Sequence, residues 1–95
     1  MNNRSLTISA GPCKHVLSNA LVMLIDRAPI EVEFTTKEYI YRVVITGMEM
    51  EDGSRESWYL KGRIVGVGIA RFDKQREVKI YFNTHRRSGT LTYLD

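Results

Sequence analysis

Apolar residues in the first third of the chain recur at spacings of three and four, and this period predicts one amphipathic helix. The apolar stripe consists of Cys13, Val16, Leu17, Ala20, Leu21, Leu24 and Ala28. Gly11-Pro12 before the stripe is a typical helix start, and Pro29 ends the helix because the residue before a proline avoids the α conformation. We predict a helix over about residues 13–27, preceded by a strand or extended arm over residues 4–9.

Beyond the helix the apolar residues recur at every second position, which predicts β-strands. At Gly47 this alternation changes phase, and a glycine at such a point indicates a β-bulge. Asp52-Gly53 predicts one hairpin turn and Asp73-Lys74-Gln75 another. The predicted strands cover about residues 30–35, 39–51, 56–66, 77–83 and 90–94.

The middle strand contains the single tryptophan of the chain, and alternation divides its side chains between two faces. One face is apolar and is predicted to enter the core, with Trp58, Leu60 and Ile64. The other face combines an aromatic ring with cations, in Tyr59, Lys61 and Arg63. Tyr59 is therefore either a ligand contact or a ring that packs on the surface.

These elements predict an α+β fold that is mainly β, with an N-terminal helix followed by a five-stranded antiparallel small barrel. A chain of 95 residues is expected to form a single domain, residues 1–95. The composition, 43% hydrophobic and 26% charged, is that of an ordinary globular protein. A meander this short would leave exposed edges unless it curled.

The remaining composition bears on location. Cys13 is the single cysteine, so no internal disulfide is possible and a reducing cytoplasm is expected. The longest apolar run, Ala20 to Ile25, is too short to span a bilayer, and the N-terminus lacks the apolar region of a signal peptide. We expect a cytoplasmic protein without membrane association.

Charge is distributed unevenly along the chain. The formal net charge is +3, but from Arg55 onward nine basic residues stand against four acidic ones. Such asymmetry indicates an anionic partner, and the alternative is a basic surface that contacts only solvent.

Four segments, in this order, resemble the WYL domain, a family named after the tripeptide at residues 58–60. The segments are Ile30-Glu31-Val32-Glu33-Phe34, Tyr41-Arg42-Val43-Val44, Trp58-Tyr59-Leu60 and Ile69-Ala70-Arg71-Phe72-Asp73-Lys74-Gln75-Arg76. The resemblance covers roughly residues 17–80. It implies an N-terminal helix packed on a small Sm-like or SH3-like β-barrel.

Matches and departures both bear on this resemblance. Arg42 occupies the strand position where the family typically has arginine, and Phe72 with Arg76 matches a phenylalanine followed four residues later by arginine. Ile45 stands in the region where a proline often follows the arginine strand. Family members usually carry a helix-turn-helix or other effector domain, which these 95 residues lack, so direct DNA reading through such a domain is not expected.

The resemblance implies a regulatory ligand-binding module, of the kind attached to bacterial transcription factors or found near anti-phage defence systems. Its implied ligand is a nucleotide or single-stranded nucleic acid. The candidate binding residues are Arg42, Tyr59, Arg71 and Arg76, to which alternation adds Lys61 and Arg63. Guanidinium groups bind phosphates and a tyrosine ring stacks on a base. Alternatively, Arg42 and Arg76 pair across strands with glutamates of the chain (Glu31, Glu33 or Glu77).

A second hypothesis is a phage- or mobile-element-type interaction barrel that modulates a host complex without binding nucleic acid. Residues 39–45 are apolar on both faces, which also predicts a homodimer. No enzyme, cofactor or metal site is expected, because Cys13 and His15 point in different directions on the predicted helix and His85 is the one other histidine.

Overall fold

One antiparallel sheet and one helix make up the part of the chain that the structure describes. The computed structural model describes residues 5–27 and 30–94. The elements are β1 (Ser5–Ile8), α1 (Cys13–Asp26), β2 (Ile30–Thr35), β3 (Ile40–Met50), β4 (Ser57–Val67), β5 (Ala70–Asn83) and β6 (Gly89–Tyr93). The strand order in the sheet is β1-β6-β5-β4-β3-β2. The prediction of a mainly β fold with one helix is confirmed.

The sheet curls until its two outer strands meet at one point. Ser9, just after β1, and Thr35, at the end of β2, exchange backbone hydrogen bonds of 2.9 and 2.8 Å. Because this bridge is isolated, the sheet forms a half-barrel rather than a continuously paired barrel. The predicted strand count of five is wrong, since β1 pairs with β6 along its whole length and becomes a sixth strand.

The core lies between α1 and the inward face of the sheet. The helix contacts β3 and β5 and contributes Cys13, Val16, Leu17 and Ala20. The completely buried sheet residues include Phe34, Val43, Leu60, Ile64, Val78, Ile80 and Leu91. Trp58 was predicted to enter the core, but it is half-buried and packs against the edge of the core. The indole N–H of Trp58 donates to the Arg55 carbonyl (3.2 Å).

The helix agrees with its predicted range but not with the full predicted stripe. It ends at Asp26, and Arg27 adopts the left-handed conformation (φ 56°) with its amide directed at the Leu24 carbonyl (3.3 Å). Leu21, expected to be buried, is half exposed because the helix meets the sheet only through the neighbouring face. Ala28 and Pro29 lie outside the described residues.

Register shifts interrupt the pairing of β4 with both of its neighbours, β3 and β5. The phase change predicted at Gly47 is confirmed as a register shift between Ile45 and Gly47 on pairing with β4. The turn predicted at 73–75 is wrong, and so is the start of its strand at residue 77. The turn is Gly68-Ile69, where Gly68 supplies the positive φ (61°) that a tight hairpin requires.

Residues 72–75 instead belong to β5, where they form the long side of a bulge. Ile64 pairs with Arg76 and Gly66 with Arg71, so four residues of β5 stand opposite the single Val65 of β4.

Candidate functional site

Five side chains from three adjacent strands meet on the solvent-facing side of the sheet, and we call them the outer-face patch. They are Glu49, Tyr59, Lys61, Lys79 and Tyr81. Glu49 pairs with Tyr59 and Tyr59 with Tyr81, while Lys61 pairs with Lys79 in the adjacent row. Because the intervening Leu60 and Ile80 are fully buried, alternation directs the patch away from the core.

Two tyrosine rings pack against each other at the centre of the patch. The ring centroids of Tyr59 and Tyr81 are 5.3 Å apart with an interplanar angle of 58°. The Tyr81 hydroxyl donates to the Ser57 Oγ (2.8 Å), which fixes the far end of that ring. Lys79 Nζ lies 4.1 Å from the Tyr59 ring centroid, within range of a cation–π interaction.

The lysines of the patch share one carboxylate. Lys61 and Lys79 each place Nζ 3.4 Å from an oxygen of Glu49. The charge of Lys61 and the hydrogen bond from Lys79 lower the pKa of the Glu49 carboxyl. Two cations on one anion leave the patch with a net positive charge, and the exposed Arg63 continues it along the same face of β4.

A second group on the outer face consists of two arginines and the two glutamates of β2. Arg71 contacts Glu31 through both terminal nitrogens, at 2.7 and 3.4 Å. Arg42 Nε lies 3.6 Å from a Glu33 oxygen, and its Nη1 donates to the Gly68 carbonyl. The hydrogen bond from Arg71 lowers the pKa of Glu31, and the same contact raises the pKa of Arg71. Both arginine charges are therefore compensated within the chain.

Arg76 lies apart from the other predicted site residues. It pairs with the buried Ile64 and shares its face of β5 with the buried Val78, so it belongs to the inward side of the sheet. Its guanidinium carbon is 4.3 Å from the Tyr93 ring centroid.

The structure thus divides the six predicted residues into three groups. Tyr59 and Lys61 lie in the outer-face patch, with Arg63 beside it. Arg42 and Arg71 share the outer face but contact the β2 glutamates, and Arg76 lies on the inward side. The sequence reasoning missed Glu49, Lys79 and Tyr81, because alternation gives their face but not their neighbours on other strands.

The reactive and metal-binding side chains outside the outer-face patch bear on the sequence prediction of no enzyme and no metal site. The Cys13 thiol is buried, donates to the Ser88 carbonyl (3.5 Å), and has a pKa raised by that burial, which disfavours the reactive thiolate. Within residues 5–27 and 30–94, no three His, Cys, Asp or Glu side chains are grouped as a metal ion requires. Over the same residues, no helix has the length and apolar character needed to cross a membrane.

Comparisons with known proteins identify no relative: no family model, no curated protein and no solved structure matches this chain. The resemblance to the WYL domain stays a prediction.

Proposed function

We propose that this protein is a regulatory module that binds a nucleotide or single-stranded nucleic acid through the outer-face patch. The observation that carries the proposal is the pair of tyrosine rings beside lysines on a solvent-facing sheet surface. Aromatic rings stack on bases of any sequence, and neighbouring cations bind the phosphates that link those bases. Arg63 continues the cationic surface along β4.

The charge arrangement within the patch supports an anionic ligand. Glu49 contacts both lysines at 3.4 Å, so a phosphate that approached them would compete with this carboxylate. The two lysines share this one carboxylate and therefore keep an excess of positive charge, whereas Arg42 and Arg71 each have a glutamate of β2 as a partner. The patch therefore supports binding better than the arginine group does.

Fluorescence anisotropy with a labelled single-stranded oligonucleotide, at two salt concentrations, tests the proposal. Tyr59→Ala is expected to weaken binding by about 5- to 150-fold, the range for loss of one stacking contact of about 1–3 kcal/mol, while Tyr59→Phe keeps the ring and the affinity. Lys61→Ala is expected to reduce the salt slope by about 0.7, the value for one phosphate contact on a single strand.

Two further variants make the test specific. Glu49→Gln removes the competing carboxylate, and its affinity is expected to exceed that of the wild type. Lys74→Ala removes an exposed lysine of the β5 bulge and serves as a charge-matched control. Absence of binding at low salt, or equal losses in Lys61→Ala and Lys74→Ala, would show that the patch is not the site.

A second candidate function is the interaction barrel that modulates a host complex. Exposed apolar residues lie at one end of the sheet, where the Gly68 amide donates to the Ile40 carbonyl (2.8 Å). They are Tyr39, Ile40 and Ile69, of which Ile69 is fully exposed. Residues 39–45 are apolar on both faces, which predicted a homodimer. Val43 and Ile45 are buried in the core of the chain itself, so only part of this apolar surface is available to a partner.

Affinity capture from host lysate after nuclease treatment separates the two candidates. A protein partner retained by the wild type and by Lys61→Ala, but lost in Ile69→Asp, favours the interaction barrel. A partner lost in Lys61→Ala and retained in Ile69→Asp contradicts it.

A further inference from the structure

The outward face of α1 carries apolar side chains that the sheet does not cover. Leu21, Val22 and Ile25 are 49%, 57% and 69% exposed. Together with Lys14 and Ser18, these three residues form a continuous stripe along the helix, because residues three and four positions apart are neighbours on a helix surface. A 14-residue helix is about 21 Å long, so the stripe is long enough to pack against a second helix.

Two charged residues within this helix oppose its dipole, whereas Arg27, at the C-cap, is favourable there. Its first turn contains no acidic residue and its last turn no basic one. Instead Lys14 follows the first helical residue, near the positive end of the dipole, and Asp26 is the last, at the negative end. Each charge is therefore unfavourable in its own helix.

We propose that α1 binds α1 of a second copy of this chain in an antiparallel, two-fold symmetric pair. An antiparallel arrangement centred on the helix places Lys14 near the negative helix end of the other copy, one residue along the axis from its Asp26, and places Asp26 near the positive end. Both charges that are unfavourable within one helix become favourable between two. A two-fold axis makes every contact occur twice.

The same geometry matches the apolar positions. Ile25 faces the aliphatic stem of Lys14, and Leu21 faces Ser18, because these pairs are equidistant from the centre of a helix that spans residues 13–26. A parallel pair would instead place Lys14 against Lys14 and Asp26 against Asp26. Charge complementarity thus selects the antiparallel pair.

This inference goes beyond the proposed function and is independent of it. The helix packs on the inward side of the sheet, against β3 and β5, whereas the outer-face patch lies on the other side. A dimer formed through α1 leaves the patch accessible, so failure of one proposal does not decide the other.

Sedimentation equilibrium on the full chain, from about 10 µM to about 1 mM, tests the interface. The contact surface is small, so we expect association with a dissociation constant in the range of about 0.01–1 mM. Ile25→Asp is expected to abolish association. Ile69→Asp, which places the same charge at a fully exposed isoleucine of the β4–β5 turn, is expected to leave it unchanged. Circular dichroism confirms that both variants are folded.

A charge exchange tests the antiparallel geometry. Lys14→Glu and Asp26→Lys are each expected to weaken self-association by about 3- to 30-fold, because each variant loses two helix-end interactions of ordinary size. An equimolar mixture of the two variants is expected to associate more tightly than either variant alone but more weakly than the wild type. Both contacts in the mixed dimer join opposite charges, but in one of them the charges are reversed relative to the helix ends. A wild type that stays monomeric at the highest concentration, or a mixture no tighter than either variant alone, overturns the proposal.

Discussion

Replacing Gly62 by alanine tests how closely β3 and β4 approach each other. Gly62 pairs with Ile45 on one side and Val78 on the other, in the middle of the sheet. A β-carbon at this position would lie 2.4 Å from the Val44 carbonyl oxygen and 3.0 Å from Val43 Cγ1. The oxygen belongs to the backbone of a paired strand, so it can move only if β3 moves.

Gly47 provides a matched control on the neighbouring strand. Neither glycine has a positive φ, so alanine is compatible with the backbone conformation at both positions. A β-carbon on Gly47 would meet its nearest atom, Lys61 Cβ, at 3.9 Å, an ordinary contact distance. The two substitutions therefore change the chain in the same way and differ only in the space available.

We expect Gly62→Ala to reduce the free energy of unfolding by about 1–3 kcal/mol, the usual range for overpacking in a well-packed core. For a domain of this size that corresponds to a fall in Tm of about 4–24 °C. Gly47→Ala should be neutral or raise the free energy of unfolding by up to about 1 kcal/mol, because alanine restricts the unfolded chain. Urea unfolding followed by Trp58 fluorescence measures both changes at constant m.

Two results would refute this reasoning. If the variants shifted the urea midpoint equally, the distinction between crowded and open glycines would be wrong. If Gly62→Ala stayed within about 0.5 kcal/mol of the wild type, the size of an ordinary surface substitution, the Val44 carbonyl could not lie where the structure places it.

Two further predictions concern the core and the outer-face patch. Leu60→Ala is expected to reduce the free energy of unfolding by about 2–5 kcal/mol, since its side chain is fully buried, and a loss below about 1 kcal/mol in the same urea assay would contradict that burial. The Glu49 carboxyl, followed by NMR titration, is expected to have a pKa below the ordinary value for glutamate because of the nearby charge of Lys61, and this pKa is expected to rise in Lys61→Met. A lowered folded pKa contributes stability at neutral pH, and that contribution is lost as the pH falls through it. An unchanged pKa in Lys61→Met would show that the two groups do not interact.

Much of the fold could be predicted because burial imposes a period on the sequence. The helix period up to Asp26 and the two-residue period beyond it both reflect contact with one core. These periods predict α1 and five of the strands to within a few residues of their observed ends. The one exception is the start of β5. Gly47 was recognised for the same reason, since a bulge changes which face an apolar residue occupies.

The features that the sequence did not predict depend on how the strands pair with one another. Asp73-Lys74-Gln75 has the composition of a turn, but Arg71 and Arg76 pair with β4 on either side of it and make it a bulge. The bridge between Ser9 and Thr35 likewise joins residues with no local signal for contact. Register is set by the whole sheet, so a single strand cannot reveal it.

The candidate site follows the same division. Alternation placed Tyr59, Lys61 and Arg63 on one face without reference to other strands. Their neighbours Glu49 and Lys79 could be identified only from the register that joins β3, β4 and β5.

The register also changes what the basic composition of the chain means. Two of the arginines that were assigned to an anion-binding surface form ion pairs with glutamates of β2 instead. Arg42 contacts Glu33 on the adjacent strand, and Arg71 contacts Glu31, which is 40 residues away in sequence. Around the tyrosine pair, by contrast, Glu49 is shared by two lysines, and the positive charge exceeds the negative. If an anionic ligand binds the outer-face patch, its affinity should therefore depend more on Glu49, which contacts the patch lysines, than on Glu31 and Glu33, which contact Arg71 and Arg42.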